Sequence, residues 1–343
     1  MRVPSSKPDK PRSAVMTDVA ELAGVSHQTV SRVLHDSPNV RGETRERVLA
    51  AIRQLNYRPN TVARALVTGR SRTLGVVTFD TTLYGPATTL LGIEQAAHDT
   101  GYAVIVSSLR SLNRRTVLGA IEQLRNQGVD GVAVIAPMRA GVEALRDVMP
   151  DFAVVAVAAA PDASIPVASV DQAAGAAAAT RHLLDLGHRT VWHLAGPLDW
   201  KEADARIEGW KSVLKSAGAP IPDLLRGDWT ARSGYELGKT LLEVEGVTAV
   251  LAANDQMALG LLRRLHEAGL EVPRDLSVAG FDDIPEAAYF TPPLTTVRQD
   301  FGELGRRCLQ VLLARIEGDA APPRVVVTPE LLVRASTGPV RSR

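Results

Sequence analysis

Planar polar groups and indoles gather at five places in this 343-residue chain, four of them just beyond short aliphatic runs. Asp80 to Thr89 follows LGVVTF, Pro197 to Arg206 follows TVWHLAG, Asn254-Asp255 follows TAVLAA, and Phe281-Asp282-Asp283 follows LSVAG; Asp228-Trp229 stands ahead of SGYELG. Carboxylate, amide and guanidinium groups each hold two neighbouring hydroxyls, and an indole packs against the apolar face of a pyranose. That is a sugar-binding inventory. Covalent chemistry is poorly supplied. There is no GxSxG motif, the lone Cys308 follows no catalytic pattern, and LGVVTFDTTLYGPA lacks the glycine-rich phosphate loop of a Rossmann enzyme. One cysteine excludes an intramolecular disulfide, and no Cys/His cluster offers a zinc site. No catalytic residue, metal or cofactor is expected, and the chain is not expected to be an enzyme.

Residues 18–34, DVAELAGVSHQTVSRVL, carry a second kind of chemistry. Val19, Ala20, Leu22 and Ala23 supply the apolar positions of a short helix, Gly24 permits a tight turn, and Val25 packs back inward. Ser26 is suited to cap a second helix, whose Val30, Val33 and Leu34 recur at helical spacing. Its other face, His27, Gln28, Thr29 and Arg32, is polar and has no acid. Such a face suits the DNA major groove, where Gln pairs with adenine and Arg with guanine.

The elements that must position these groups are legible in outline. A third helix from about Thr44 to Leu55, with Val48, Ile52 and Leu55 on one face, closes a three-helix unit that ends at Tyr57. Pro59 breaks that helix and Asn60 can cap another, but VARALV is too short to be stable alone and should fold only against something. From Thr73 onward, aliphatic strands such as GVDGVAVIAP and FAVVAVA alternate with amphipathic helices, and a second such series begins after VASVDQ. This pattern means parallel sheets covered on both faces, in two doubly wound units. Ligands in such sheets bind beyond the carboxyl ends of the strands, where the polar segments fall.

Charge divides the chain. The net charge is +1, yet residues 1–72 hold 13 Lys and Arg against 6 Asp and Glu, which leaves −6 on the remainder. The basic end is the candidate polyanion binder. Hydrophobic residues make up 45% and charged residues 22%, an ordinary globular composition. No apolar run reaches signal-peptide or membrane-spanning length, so a cytoplasmic location without membrane contact is expected.

The run DVAELAGVSHQTVSRVL, followed by TRERVLAAIRQLNYRPNTVARAL, resembles the headpiece of the LacI/GalR (lactose repressor) family of bacterial transcription regulators. The resemblance continues to the end of the chain. It implies an α/β protein: an N-terminal helix-turn-helix headpiece and hinge helix, then a periplasmic-binding-protein-like core of two doubly wound lobes that the last helix and strands cross. The expected divisions are a disordered basic tail over 1–14, the headpiece over 15–58, the hinge over 59–72 and the effector-binding and dimerisation domain over 73–343. Lobe one is expected at about 73–168 and 301–328, and lobe two at about 169–296 and 330–337. DNA contacts are implied at Thr17, Ser26, His27, Gln28, Thr29, Ser31, Arg32 and Asn39, and in the hinge at Asn60, Ala63 and Leu66, the last wedged into the minor groove.

The resemblance also assigns an effector pocket. Arg206 in AGPLDWKEADARIEGW, Asn254 in VLAANDQMALG and Asp282 in VAGFDDIPEA match the family's sugar ligands. Trp229 and Phe301 match pocket walls, while Leu83, Tyr84, Pro86 and Thr89 occupy the first-lobe rim and Trp200 extends the aromatic surface. The chain departs from the type member at Ala158, where an aspartate is usual, at Glu202, where a small hydroxyl residue is usual, and at Val15 and Arg41, which replace helix caps. Taken together, these features imply a homodimeric repressor released from a pseudo-palindromic operator DNA when a small sugar, a β-galactoside or β-glucoside first, closes the lobes. The chain stops soon after its last strand without a tetramerising heptad tail. Two alternatives stay open: the same regulator with a purine or a phosphorylated partner protein as effector, and a sugar receptor that binds no DNA.

Overall fold

The computed structural model describes residues 14–34, 37–57, 69–145, 152–158, 165–320 and 322–340, and divides into two compact units, residues 1–71 and 72–343. The expected tail apart from Ala14, and the hinge positions Asn60, Ala63 and Leu66, lie outside the described residues.

In the first unit α1 (Met16–Ala23), α2 (His27–Leu34) and α3 (Gly42–Gln54) enclose Val19, Ala20, Ala23, Val30, Val33, Val48, Ala51 and Tyr57. Gly24 takes the left-handed conformation, φ 62°, that the turn between the first two helices requires. Val15 offers no cap, but its own N–H is held by the Asp18 carboxylate at 2.7 Å, so the helix start is secured from within. Leu22 does not join the core; it is 45% exposed. At about 100° per residue it falls roughly 100° from the centre of the Val19-Ala20-Ala23 arc.

The second unit consists of two sheets. The first lobe runs β1 (Thr73–Phe79), α4 (Tyr84–Asp99), β2 (Ala103–Leu109), α5 (Arg114–Asn126), β3 (Gly131–Ile135), α6 (Arg139–Ala144), β4 (Val154–Val157) and β5 (Val167–Val170). The second runs α7 (Gln172–Asp185), β6 (Trp192–Ala195), α8 (Lys201–Ser216), β7 (Leu225–Arg226), α9 (Ala231–Leu242), β8 (Ala249–Ala252), α10 (Asp255–Glu267), β9 (Ser277–Asp282), a 3-10 turn (Pro285–Tyr289) and β10 (Thr295–Arg298). Then α11 (Phe301–Glu317) and β11 (Arg324–Val327) rejoin the first lobe, and β12 (Glu330–Leu332) the second. The sheet orders are β11-β5-β4-β3-β1-β2 and β12-β10-β9-β8-β6-β7, parallel throughout except for the antiparallel β12. Every residue of β3, β4, β5, β8 and β9 is buried, as strands covered on both faces must be.

The chain thus changes lobe three times: at Asp171, at Gln299-Asp300 and at residues 328–329. The division expected at 168 falls inside β5 and moves to its end. β7 had no periodic signature, since two residues cannot show one.

Glycines set the close helix contacts that hold the cavity-lining elements. Gly209 of α8 lies on α7, and a Cβ there would run into the Ala173 carbonyl. Gly209→Ala is expected to cost about 1–3 kcal/mol by overpacking, read as a lower urea midpoint at unchanged slope. Cys308 lies deep in the first lobe, where burial pushes its thiol pKa up to about 12.

Candidate functional site

In the first unit the outer face of α2 carries exposed His27, Gln28 and Arg32, with Thr29 and Ser31 half-buried beside them. Ser26 Oγ accepts the Thr29 N–H at 3.2 Å, so the helix starts where the sequence places it and fixes the direction of that face. Thr17 and Asn39 are also exposed. No acidic residue occupies α2, which leaves its polar face free of repulsion toward phosphates.

In the second unit a cavity of about 290 Å³ opens between the lobes, at the small end of the range for small-molecule sites. Leu83, Tyr84, Pro86, Thr89, Trp200, Arg206, Trp229, Asn254, Asp282 and Phe301 all line it. Most sit where strand gives way to helix. Asn254 follows β8, Asp282 closes β9, and Tyr84 begins the helix after β1. Tyr84 meets Phe301 edge to face at 5.9 Å, and Trp200 meets Trp229 likewise at 5.4 Å. Gly196 leaves room for the Trp229 ring, which any Cβ there would strike.

Arg206 is the centre of the polar cluster. Its Nε donates to Gln172 Oε1 at 2.8 Å, Nη1 to the Ala253 carbonyl and Nη2 to Asp282 Oδ1 at 3.4 Å. Its guanidinium also stacks 3.9 Å from the centroid of Phe281, with Trp229 at 5.4 Å. Gln299 Nε2 donates to Asp282 Oδ1 at 2.6 Å, and Gln172 Nε2 to Gln299 Oε1 at 2.7 Å. Arg206, Gln172, Gln299 and Asp282 therefore close a ring of hydrogen bonds, all four buried.

Burial pushes the Asp282 carboxyl up to about 6 against the pull of Arg206 and Gln299, and burial likewise lowers Arg206. Asp255 is raised by burial and by neighbouring Asp282, but it points away into the fold, accepting from Thr296 Oγ1 and the Ile284 N–H. Asn254 is largely occupied by the protein: Oδ1 caps α10 through the Met257 N–H at 2.9 Å, and Nδ2 donates to the Trp229 carbonyl at 3.0 Å. Trp229 and Asp282 hold positive φ angles of 73° and 108°, strained for non-glycine residues. Such strain costs on the order of 1–3 kcal/mol each and concentrates at functional sites.

The lobes also clasp beside the cavity. Arg139 N–H bonds the Asp199 carbonyl at 3.0 Å, Lys201 N–H bonds the Pro137 carbonyl at 2.9 Å, and Arg139 pairs with Asp204. Trp200 lies in the middle of this bridge.

Sequence reasoning did not single out Gln172, Gln299, Ser169 or Gln256, which line the same cavity. The signal for the first two was available, because each lies within two residues of the end of a strand that crosses between lobes. Among the described residues no group of three or more His, Cys, Asp or Glu is placed to hold a metal ion, and no helix is long and apolar enough to cross a membrane.

Comparison with known proteins agrees with both units. Residues 15–60 match the model of bacterial regulatory proteins of the lacI family, and residues 180–337 match a periplasmic binding protein-like domain. The lactose operon repressor of Escherichia coli (strain K12) is 36% identical over 95% of this chain and 91% of its own length. The transcriptional repressor PurR of Haemophilus influenzae (strain ATCC 51907) is 34% identical over 94% of this chain and 98% of its own. A crystal structure of the lac repressor dimer bound to operator and the anti-inducer ONPF superposes with a TM-score of 0.84 at 34% identity, covering 95% of this chain and all of that one. With a helix-turn-helix unit, two crossed lobes and full-length relatives of this kind, the chain belongs to the lacI family of bacterial regulatory proteins and is a DNA-binding transcriptional repressor.

Proposed function

We propose that this repressor is a homodimer that leaves a pseudo-palindromic operator when a small neutral sugar, a β-galactoside or β-glucoside first, occupies the interlobe cavity. The observation that carries the reading is the buried ring of Arg206, Gln172, Gln299 and Asp282 beside Trp200 and Trp229. Arg206 and Asp282 present paired planar groups suited to vicinal hydroxyls, and the indoles supply apolar walls. Gln172 and Gln299 stand at two of the lobe crossings. A ligand hydroxyl that accepts from Arg206 or donates to Asp282 therefore changes the bonding of the segments about which the lobes turn. The coupling is reciprocal: sugar weakens DNA binding by the factor by which DNA weakens sugar binding.

The test is operator anisotropy with the full-length protein, titrated with lactose, cellobiose, glucose and galactose, on a site selected from a random DNA pool. Release by at least one sugar supports the reading, and release by none removes it. On the DNA side, Gln28→Ala and Arg32→Ala are each expected to cost ~1–3 kcal/mol at one or two base pairs while relaxing preference there. A uniform loss over all sequences in the selected pool marks a residue as a phosphate contact instead.

A further inference from the structure

The two backbone bonds that cross the cleft come from equivalent places in the two lobes. Arg139 and Lys201 are the first residues of α6 and α8, and the first N–H groups of a helix have no acceptor within it. Each is taken up by the opposite lobe: the Arg139 N–H donates to the Asp199 carbonyl at 3.0 Å, and the Lys201 N–H to the Pro137 carbonyl at 2.9 Å. Together they make one antiparallel bridge centred on Met138 and Trp200, the residues that precede the two helices. Both centres are anchored. Met138 packs against the first-lobe core and Trp200 against the second-lobe core, where its ring meets Trp229 at 5.4 Å. Trp200 also lines the cavity, so the middle of the bridge is one of the cavity's walls. The Arg139–Asp204 ion pair lies alongside, but at 51% and 30% side-chain exposure it adds little.

We infer that the Arg139 and Lys201 N–H groups are positioning elements for the effector: their bridge is an interlobe latch that forms as the ligand is enclosed and thereby sets effector affinity. The inference rests on reading the cavity as the effector site. A ligand enclosed between two lobes binds their closed arrangement, so its apparent affinity is the intrinsic affinity scaled by the fraction of protein that is closed. Latch bonds raise that fraction. Opening them leaves both helices whole, because neither N–H belongs to the hydrogen-bond ladder of its own helix and both return to water. One net hydrogen bond is a factor of about two to ten in such an equilibrium.

Because each donor stands at the first position of a helix, it can be deleted without breaking that helix. Proline is favoured there and lacks only the N–H that the helix does not use. Met138 and Trp200 have φ and ψ of −94° and 148°, and of −99° and 122°, the extended conformation that a following proline requires. Lys201→Pro and Arg139→Pro each remove one latch bond, and Lys201→Ala and Arg139→Ala, which keep the N–H, account for the lost side chains. Sugar affinity is measured by calorimetric titration of the full-length proteins with lactose, cellobiose, glucose and galactose. Hydrogen exchange at the Arg139 and Lys201 amides of the wild type reads the same two bonds with no substitution at all.

The expected result is that each proline variant binds the responsive sugar roughly five-fold more weakly than the alanine variant at the same position. In the wild type, a saturating concentration of that sugar should slow exchange at both amides by about ten-fold. Proline and alanine variants of equal affinity overturn this inference and leave the proposed function standing. Exchange that sugar does not slow, whether fast or already slow without it, also overturns the inference, since the bridge is then either absent from the complex or a fixed strut. Should a proline variant fail to fold, the exchange measurement decides alone. Binding of none of the four sugars by the wild type overturns the effector reading and this inference together.

Discussion

Arg206→Met is expected to give a protein that still binds its operator but is no longer released by sugar, with sugar affinity down by about 100-fold or more. The guanidinium is the densest donor in the cavity, and hydrogen bonds to a charged group are worth about 1.5–3 kcal/mol each. Loss of two such bonds to ligand hydroxyls is about 3 kcal/mol, which is the 100-fold. The competing reading is that Arg206 and Asp282 form only an internal ion pair. Both readings predict that the single variant is less stable, because Asp282 loses its partner in a buried site, an effect of up to about 3–5 kcal/mol. The double variant Arg206→Met/Asp282→Asn separates them. It removes both charges, and Asn is chosen because φ at position 282 is 108°, which few other side chains tolerate. Stability should largely return while release by sugar stays lost. Recovery of sugar response along with stability would mean that the pair serves the fold alone.

Why the sequence exposed the pocket so fully, and the coupling so poorly, has a physical explanation. Arg206, Asn254, Asp282 and the aromatic walls follow aliphatic strands, and in doubly wound sheets that position alone directs a side chain toward the cleft. The strands announce themselves because they are buried on both faces. What a one-dimensional pattern cannot carry is which groups bond to which. Gln172 and Gln299 are 127 positions apart, and only the crossing of the chain between lobes brings them to 2.7 Å. The same limit applies to Asn254, whose amide is spent on capping α10, and to the bridge between residues 137–139 and 199–201. Leu22 differs for a simpler reason: it is apolar, but its angle around α1 turns it away from the arc of Val19, Ala20 and Ala23.

Acidification should weaken sugar binding through Asp282, by about ten-fold between pH 7 and pH 5. Burial raises this carboxyl to about 6 in the ligand-free protein. Ligand hydroxyls donate to the carboxylate, so binding favours the ionised form and falls by up to ten-fold per pH unit below about 6. The melting temperature is a poor witness to this effect, as the signs show. A carboxyl raised from 3.8 to about 6 in the folded state contributes stability that is present below 3.8 and lost as pH rises through 6, so acidification favours the fold at this group. His193 acts oppositely, because burial lowers it from 6.5 to about 4 and its contribution is lost as pH falls through that window. The two overlap and partly cancel. Affinity isolates Asp282, and Asp282→Asn should bind the responsive sugar weakly at both pH values with no slope between them. An unchanged slope in that variant would assign the titration to a group other than Asp282.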